Sequence, residues 1–260
     1  MLDSNKSSTA MRALEVMEVL AEAGRPVSVA EVAESIRADR STAYRMLMTL
    51  HAAGYVTRDA SQKNYQLGYK LLSLSRRLLN GNDRADLINE ILRQMADRSG
   101  ETVHYCVLDR DATVLVYRAK GTQLVAVDFQ IGDRSPLHCT SIGKALLAYQ
   151  DARAIDEVIG RGLPRLAVNT IVDSDKLRVE LRNVRAQGFA YDDREFHDDM
   201  RCVAAPVLEK DGSCQSGISF SGPSSRYTDA KLEECGTRRR PAVTLTLPSF
   251  ALRKGPRFLL

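Results

Sequence analysis

The 260-residue sequence contains no tryptophan, and aromatics make up only 6% of it. It has no apolar run near the ~18–20 residues that a membrane-spanning helix needs. Residues Met1 to Ala10 are polar and lack the apolar core of a secretory signal. Together these absences exclude a membrane partner and point to a cytoplasmic protein. The five cysteines (Cys106, Cys139, Cys202, Cys214 and Cys235) are odd in number, widely spaced and form no CxxC pair, so a disulfide framework is not expected. Histidines number four, and no nucleophile elbow, phosphate loop or dinucleotide fingerprint accompanies them.

What is present is an ordinary soluble composition, 44% hydrophobic and 27% charged, long enough for two domains with separate cores. The net charge of +4 is unevenly distributed. Residues 1–80 carry 11 Lys and Arg against 8 Asp and Glu, residues 81–235 carry 20 against 25, and residues 236–260 carry 6 against none. A mildly basic head thus joins an acidic body and a strongly basic tail. The head's excess suits a polyanionic partner, although only weakly.

Thr9 to Ala23 places Ala13, Val16, Met17 and Leu20 on one helical stripe, and Gly24-Arg25-Pro26 breaks it. Ser28-Val29-Ala30-Glu31 is a capping box for a short second helix ending near Ile36, with Val27 and Val32 placed as a hydrophobic staple. A third helix begins near Ser41, directing Ala43, Met46, Leu47 and Leu50 inward. Its other face, with the preceding Arg40, presents Ser41, Thr42, Tyr44, Arg45 and Thr49. Hydroxyls and guanidinium groups at the start of a helix suit phosphates and base edges. Tyr55 to Arg58, the polar turn Asp59 to Asn64, and Tyr65 to Leu67 read as a hairpin, with Arg58 and Lys63 available to backbone phosphates. Three helices and a hairpin in this order suggest a winged helix-turn-helix over residues 9–67 that reads double-stranded DNA, the alternative being a small three-helix domain whose arginines are merely at its surface.

Residues 68–82 form a linker helix with Leu71, Leu74 and Leu78 on one face. That face is buried either in a dimer or against its own head domain. From residue 83 to 235, a helix over Leu87–Ser99 leads into strands at Thr102–Leu108, Thr113–Ala119, Leu124–Phe129, Cys202–Leu208 and Gln215–Ser221. Helices intervene at Ser141–Tyr149, Ala154–Ile159 and Lys176–Gln187. This is an α+β domain on an antiparallel sheet. Thr140 is placed to cap a helix whose N-terminus favours an anion, and alternation puts Ser219 and Ser221 on the same face of their strand. Those two hydroxyls line a pocket or serve hydrogen bonding at a sheet edge.

Several segments in one register carry a family resemblance. In the head they are Val32-Ala33, Ser41 to Leu47, Leu50 and Gly54-Tyr55-Val56. In the body they are Gly100 to Val103, Pro136 to Ala148, Gly188 to Glu195, Arg201 to Val207 and Ile218 to Pro223. Running from Met11 to Glu234, the pattern resembles the isocitrate lyase regulator (IclR) family of bacterial transcription factors. The resemblance implies a GAF-like effector-binding domain and dimers, or dimers of dimers, on near-palindromic operators. It also implies a small organic acid effector from carbon catabolism, contacted by Ser141, Ile142, Asp192, Cys202, Ser219 and Ser221. No cofactor is implied.

Two departures stand out. Arg37 occupies the turn before the third helix, where the family has Gly, and Asp39 replaces a following Pro. If position 37 is left-handed, Arg37 costs about 1 kcal/mol relative to Gly, while Asp39 can cap the next helix. After Cys235 the family's terminal helix is replaced by the Pro-broken basic stretch 236–260, read either as a frameshift near codon 235 or as a nonspecific DNA-binding tail.

The alternatives are a metal-responsive regulator using His138, Cys139, His197 and Cys202, or a Cys-dependent enzyme pairing Cys202 with His197 or Cys139 with His138. The ligand spacings match no compact zinc motif, and adjacent residues in an extended segment point apart, so neither is preferred. The acidic cluster Asp192, Asp193, Glu195, Asp198 and Asp199 reads as a solvated loop, with a cation site as the alternative.

Overall fold

The computed structural model describes residues 7–59, 61, 63–80 and 85–228. The tail 236–260 and Cys235 lie outside the described residues. The chain divides into two units on either side of the Asp83/Arg84 junction.

In the first unit, α1 (Ser8–Ala23), α2 (Val29–Ser35) and α3 (Arg40–Ala52) precede β1 (Val56–Arg58) and β2 (Tyr65–Leu67). The capping box forms as the sequence indicates. The Ser28 N–H donates to Glu31 Oε2 at 2.8 Å and the Glu31 N–H to Ser28 Oγ at 3.3 Å. The Ser28 N–H and the Arg25 guanidinium hold the Glu31 carboxyl down at about 2. Val16, Leu20, Val32, Ala43 and Leu47 fill the core between the helices. The hairpin is tied back to this core by paired backbone bonds between Val27 and Tyr65 at 2.9 and 2.8 Å. Tyr65 is fully buried beneath it.

Arg37 does adopt a left-handed backbone, with φ +50°. Asp39 compensates by capping α3. Its carboxylate accepts from the Thr42 N–H at 2.9 Å and from the Ser41 and Thr42 hydroxyls at 2.5 and 2.7 Å. The Ser41 and Thr42 hydrogen bonds hold its ionisation well below the usual carboxylate range. Beyond β2, α4 (Lys70–Asn80) carries Leu72 and Leu78 at 64% and 82% exposure, with Leu74 also exposed.

The second unit is a six-stranded antiparallel sheet between helices. Its elements are α5 (Ala85–Ser99), β3 (Thr102–Asp109), β4 (Ala112–Ala119), β5 (Arg134–Pro136), α6 (Ser141–Leu147), α7 (Ala152–Gly160), α8 (Ser174–Gln187), β6 (Ala190–Asp193), β7 (Met200–Leu208) and β8 (Cys214–Pro223). The strand order is β5-β4-β3-β8-β7-β6. Ile88, Leu92 and Ala96 of α5 pack on one face against Val103, Tyr105 and Ile218. On the other face, α6 and α8 join Cys106, Leu115 and Ala204 in a separate core.

Two differences from the sequence reading concern strands. Leu124–Phe129 is not a strand. Leu124 and Val125 are exposed, and the outer neighbour of β4 is instead the short β5. β6, a strand the periodicity did not reveal, pairs with β7 and forms the far edge of the sheet. The short apolar, β-branched run Leu124 to Val127 mimicked a strand without supplying a partner for its backbone.

The strain at position 37 sets the first prediction. R37G should raise stability by about 1 kcal/mol, read as a higher midpoint in urea unfolding followed by helical circular dichroism. A lower midpoint would show that the Arg37 side chain contributes more than its backbone strain costs.

Candidate functional site

In the first unit, the exposed face of α3 carries Arg40, Ser41, Tyr44, Arg45 and Thr49. Thr42 is not on that face. It is buried, and its hydroxyl donates to Asp39 and accepts from Arg45 Nη2 at 3.3 Å. Its N3 position, where a side chain bonds most readily to the cap, explains the correction. Thr42 therefore positions Arg45 rather than facing a partner. Ser41 also binds the cap, and Thr49 Oγ1 donates to the Arg45 carbonyl at 2.8 Å, so both hydroxyls retain accepting capacity outward. On the hairpin, the Arg58 guanidinium lies 5.7 Å from the Tyr65 ring centroid, and the exposed Lys63 sits at φ +57° in the turn.

The second unit contains a cavity between the sheet and α6, lined by all six residues Ser141, Ile142, Asp192, Cys202, Ser219 and Ser221. The strand registers account for this. Thr102, Ser221, Cys202 and Asp192 stand directly opposite one another on β3, β8, β7 and β6, forming one polar rung across the sheet. Directly opposed residues share a face. The next rung begins with His104 opposite Ser219. Since β8 pairs on both sides, Ser219 and Ser221 are central in the sheet and not at its edge.

α6 forms the roof, buried along its length. Thr140 caps it, accepting from the Gly143 N–H at 3.0 Å and donating to the Pro136 carbonyl at 2.8 Å. A Cβ at Gly143 would lie 2.5 Å from the Pro136 oxygen, and one at Gly217 would lie 2.7 Å from Ile142 Cδ1. The two glycines let the helix approach the sheet. Lys144, on this helix, bonds Glu195 at 2.5 Å and Glu180 at 3.1 Å. That ion pair fixes the 192–200 segment, which contributes Asp192 and Phe196 to the cavity wall.

The acidic cluster is only in part a solvated loop: Asp198 and Asp199 are exposed, whereas Asp192 and Glu195 are buried. Asp192 is 0% exposed, Asp193 pairs with Arg201 at 2.6 Å, Glu195 with Lys144, and Asp198 accepts from the Val168 N–H at 2.8 Å. One Asp192 oxygen accepts from the Glu195 N–H at 2.8 Å, while Oδ2 is buried with no hydrogen-bond partner among the described residues. Burial pushes the Asp192 carboxyl up to about 7, so it is largely protonated just below neutrality and able to donate.

His104 was not singled out by the sequence. It lines the cavity at 2% exposure, with Nδ1 3.4 Å from Ser221 Oγ and Nε2 unpartnered among the described residues. Burial, then the Arg118 charge, lowers its ionisation to about 4, so the ring is neutral at pH 7. Only the β3–β8 register, a long-range pairing, could have placed it beside Ser219. Phe129 and Phe196 complete the wall, their rings 6.1 Å apart, with Phe129 edge-on to His104 at 5.7 Å. The free space is about 30 Å³, room for roughly two waters.

The thiol dyads do not assemble. The Cys202 thiol donates to Ser221 Oγ at 3.1 Å, and His138 Nε2 meets the Pro164 carbonyl at 3.0 Å. Burial raises Cys139 to about 12 and pushes Cys202 well above its ordinary value, which keeps both as thiols.

Residues 9–60 match the model of the IclR helix-turn-helix domain, and residues 77–243 that of the bacterial transcriptional regulator IclR C-terminal domain. The chain belongs to the IclR family. It is thus a DNA-binding transcription regulator with a C-terminal effector domain. It is 30% identical over 228 residues to the HTH-type transcriptional regulator KdgR of Escherichia coli, covering 87% of this chain and 86% of that one. Among solved structures, the IclR of Thermotoga maritima matches with a TM-score of 0.71 at 30% identity, covering 87% of the regulator and 92% of that chain. An IclR homolog from Microbacterium hydrocarbonoxydans, complexed with 4-hydroxybenzoate, shares the fold with a TM-score of 0.74 at 21% identity over 87% of this chain and 93% of its own.

The buried carboxyl generates a pH prediction. Asp192 ionises near 3.8 when unfolded and near 7 when folded. Below the lower value both states are protonated and burial has no electrostatic cost. As pH rises through the window the unfolded chain ionises first, so stability is lost until the full cost is reached above the folded value. D192N should therefore gain stability over the parent as pH rises from about 4 to 8, by up to about 4 kcal/mol. A difference in thermal midpoint that does not change with pH would overturn this assignment.

Proposed function

We propose that the regulator binds a near-palindromic operator as a dimer, and that a small organic acid held in the sheet cavity sets its operator affinity, controlling a catabolic operon in the cytoplasm. The observation that carries the effector half is the convergence of Ser141, Ile142, Asp192, Cys202, Ser219 and Ser221 on one cavity. Asp192 offers a carboxyl able to donate, Ser219 and Ser221 offer hydroxyls, and no cation is needed to complete the set. The homolog complexed with 4-hydroxybenzoate supports an acid of this class. No described helix is long and apolar enough to cross a membrane.

For the DNA half we assign Arg40, Ser41, Tyr44, Arg45 and Thr49 on α3 to the major groove, with Thr42 holding Arg45, and Arg58 and Lys63 to flanking phosphates. The working division is residues 9–67 for DNA, 68–82 for the linker and 83–235 for the effector domain. The match to the C-terminal family model continues to residue 243, past Cys235. Binding to bases and phosphates is tested by selecting bound sequences from a random duplex pool, with and without pooled organic acids. The S219A/S221A double variant should select the same sequences as the parent and lose the acid response. An unchanged acid response would refute the pocket assignment, and no enriched sequence in the parent would refute operator binding.

The uncovered leucines of α4 support the dimer, because an amphipathic helix left with an exposed apolar face is stabilised by a second copy. L74D/L78D should sediment as a monomer and bind operator more weakly by on the order of a hundredfold. Unaltered sedimentation would place the dimer contact elsewhere.

A further inference from the structure

Buried donors and acceptors almost always have partners, so an orphan beside a cavity marks where something else binds. The cavity wall has two: Asp192 Oδ2 on β6 and His104 Nε2 on β3. They belong to strands separated by β8 and β7. Three spacings of about 4.8 Å put these strands roughly 14 Å apart along the sheet. His104 also stands one rung along from Thr102, the residue in line with Asp192, so a ligand that touches both groups must carry its polar ends several ångströms apart.

The state of the His104 ring follows from its neighbours. With the Cys202 thiol donating to Ser221 Oγ, the Ser221 hydroxyl hydrogen is available to Nδ1 of His104 at 3.4 Å. With Nδ1 accepting, the ring proton resides on Nε2. The edge contact with Phe129 fixes the ring plane. In that tautomer the group presented to the cavity is a neutral N–H donor.

We propose that His104 contacts the effector and determines its specificity, donating from Nε2 to a second ligand oxygen at the end remote from Asp192. The effector is then an acid with a hydroxyl, oxo or second carboxylate group at the end remote from its first carboxyl. Two- and three-carbon acids carry no oxygen that far from the carboxyl. This rests on the cavity being an acid site, and narrows it.

The test is calorimetric titration of the full-length protein with four probes: 4-hydroxybenzoate, hexanedioate, benzoate and pyruvate. H104M fills the ring's place without a donor, whereas H104Q keeps an N–H near the Nε2 position. The parent should bind the two bifunctional acids about tenfold or more tighter than benzoate and pyruvate. H104M should erase that preference while leaving benzoate within about twofold, and H104Q should restore it. A parent that favours pyruvate or benzoate overturns the proposal, and this arm holds even if H104M does not fold. Equal weakening of every acid in a folded H104M also overturns it, since a packing role would do that. If the parent binds none of the four, the acid-site reading falls and takes this proposal with it.

Discussion

Lys144 is an ammonium group without water, and the effector unit is organised around satisfying it. Taking such a charge out of solvent is tolerable only with ionised partners in good geometry. Glu195 and Glu180 supply them, one from the loop after β6 and the other from α8. The same lysine lies on the helix that Gly143 and Gly217 allow down onto the sheet. One ion cluster thus holds the roof, the edge loop and the outer helix together. Thr170, whose hydroxyl donates to the Glu195 carbonyl at 2.6 Å, ties a further loop to the cluster. Asp192 and Phe196 reach the cavity because this arrangement holds the chain between β6 and β7.

How much of this was legible depends on the range of the interaction. Local signals read true. The Ser28–Glu31 box, the cap at Asp39, the left-handed turn at Arg37 and the cap at Thr140 involve residues within a few positions of one another. The alternation of β8 put Ser219 and Ser221 on one side, and that held. What could not be read was register. No local pattern states that Thr102 faces Ser221 or that His104 faces Ser219, so a histidine central to the cavity passed as one of four. The false strand at 124–129 is the same limitation reversed, since an apolar run without a partner is not a strand.

Thr42 shows a subtler failure. Helical periodicity assigns a residue to a face, but a hydroxyl at the third position also competes for the cap. Here the cap won, with the Thr42 side chain and N–H both bound to Asp39. That makes the orientation of Arg45 depend on Asp39 through Thr42, so the residue that departs from the family pattern at position 39 also orders the face we assign to DNA. The strained Arg37 next to it is compensated locally rather than by any distant contact.

The cavity's small free volume bears on how a sensor of this kind works. A ligand changes an equilibrium only by binding one state better than another. A site already shaped to its effector would bind it tightly and shift little. Here about 30 Å³ is open, and Phe129 and Phe196 close the side away from the polar rung. Phe129 belongs to the segment that runs between the exposed Leu124 and Ile131, and Phe196 to the loop held by Lys144. The polar rung across β3, β8, β7 and β6 stays fixed by sheet hydrogen bonds on both sides of β8. A polar wall on paired strands thus faces an aromatic one carried by the segments between strands, which separates the groups we assign to recognition from those that join the sheet to its surroundings.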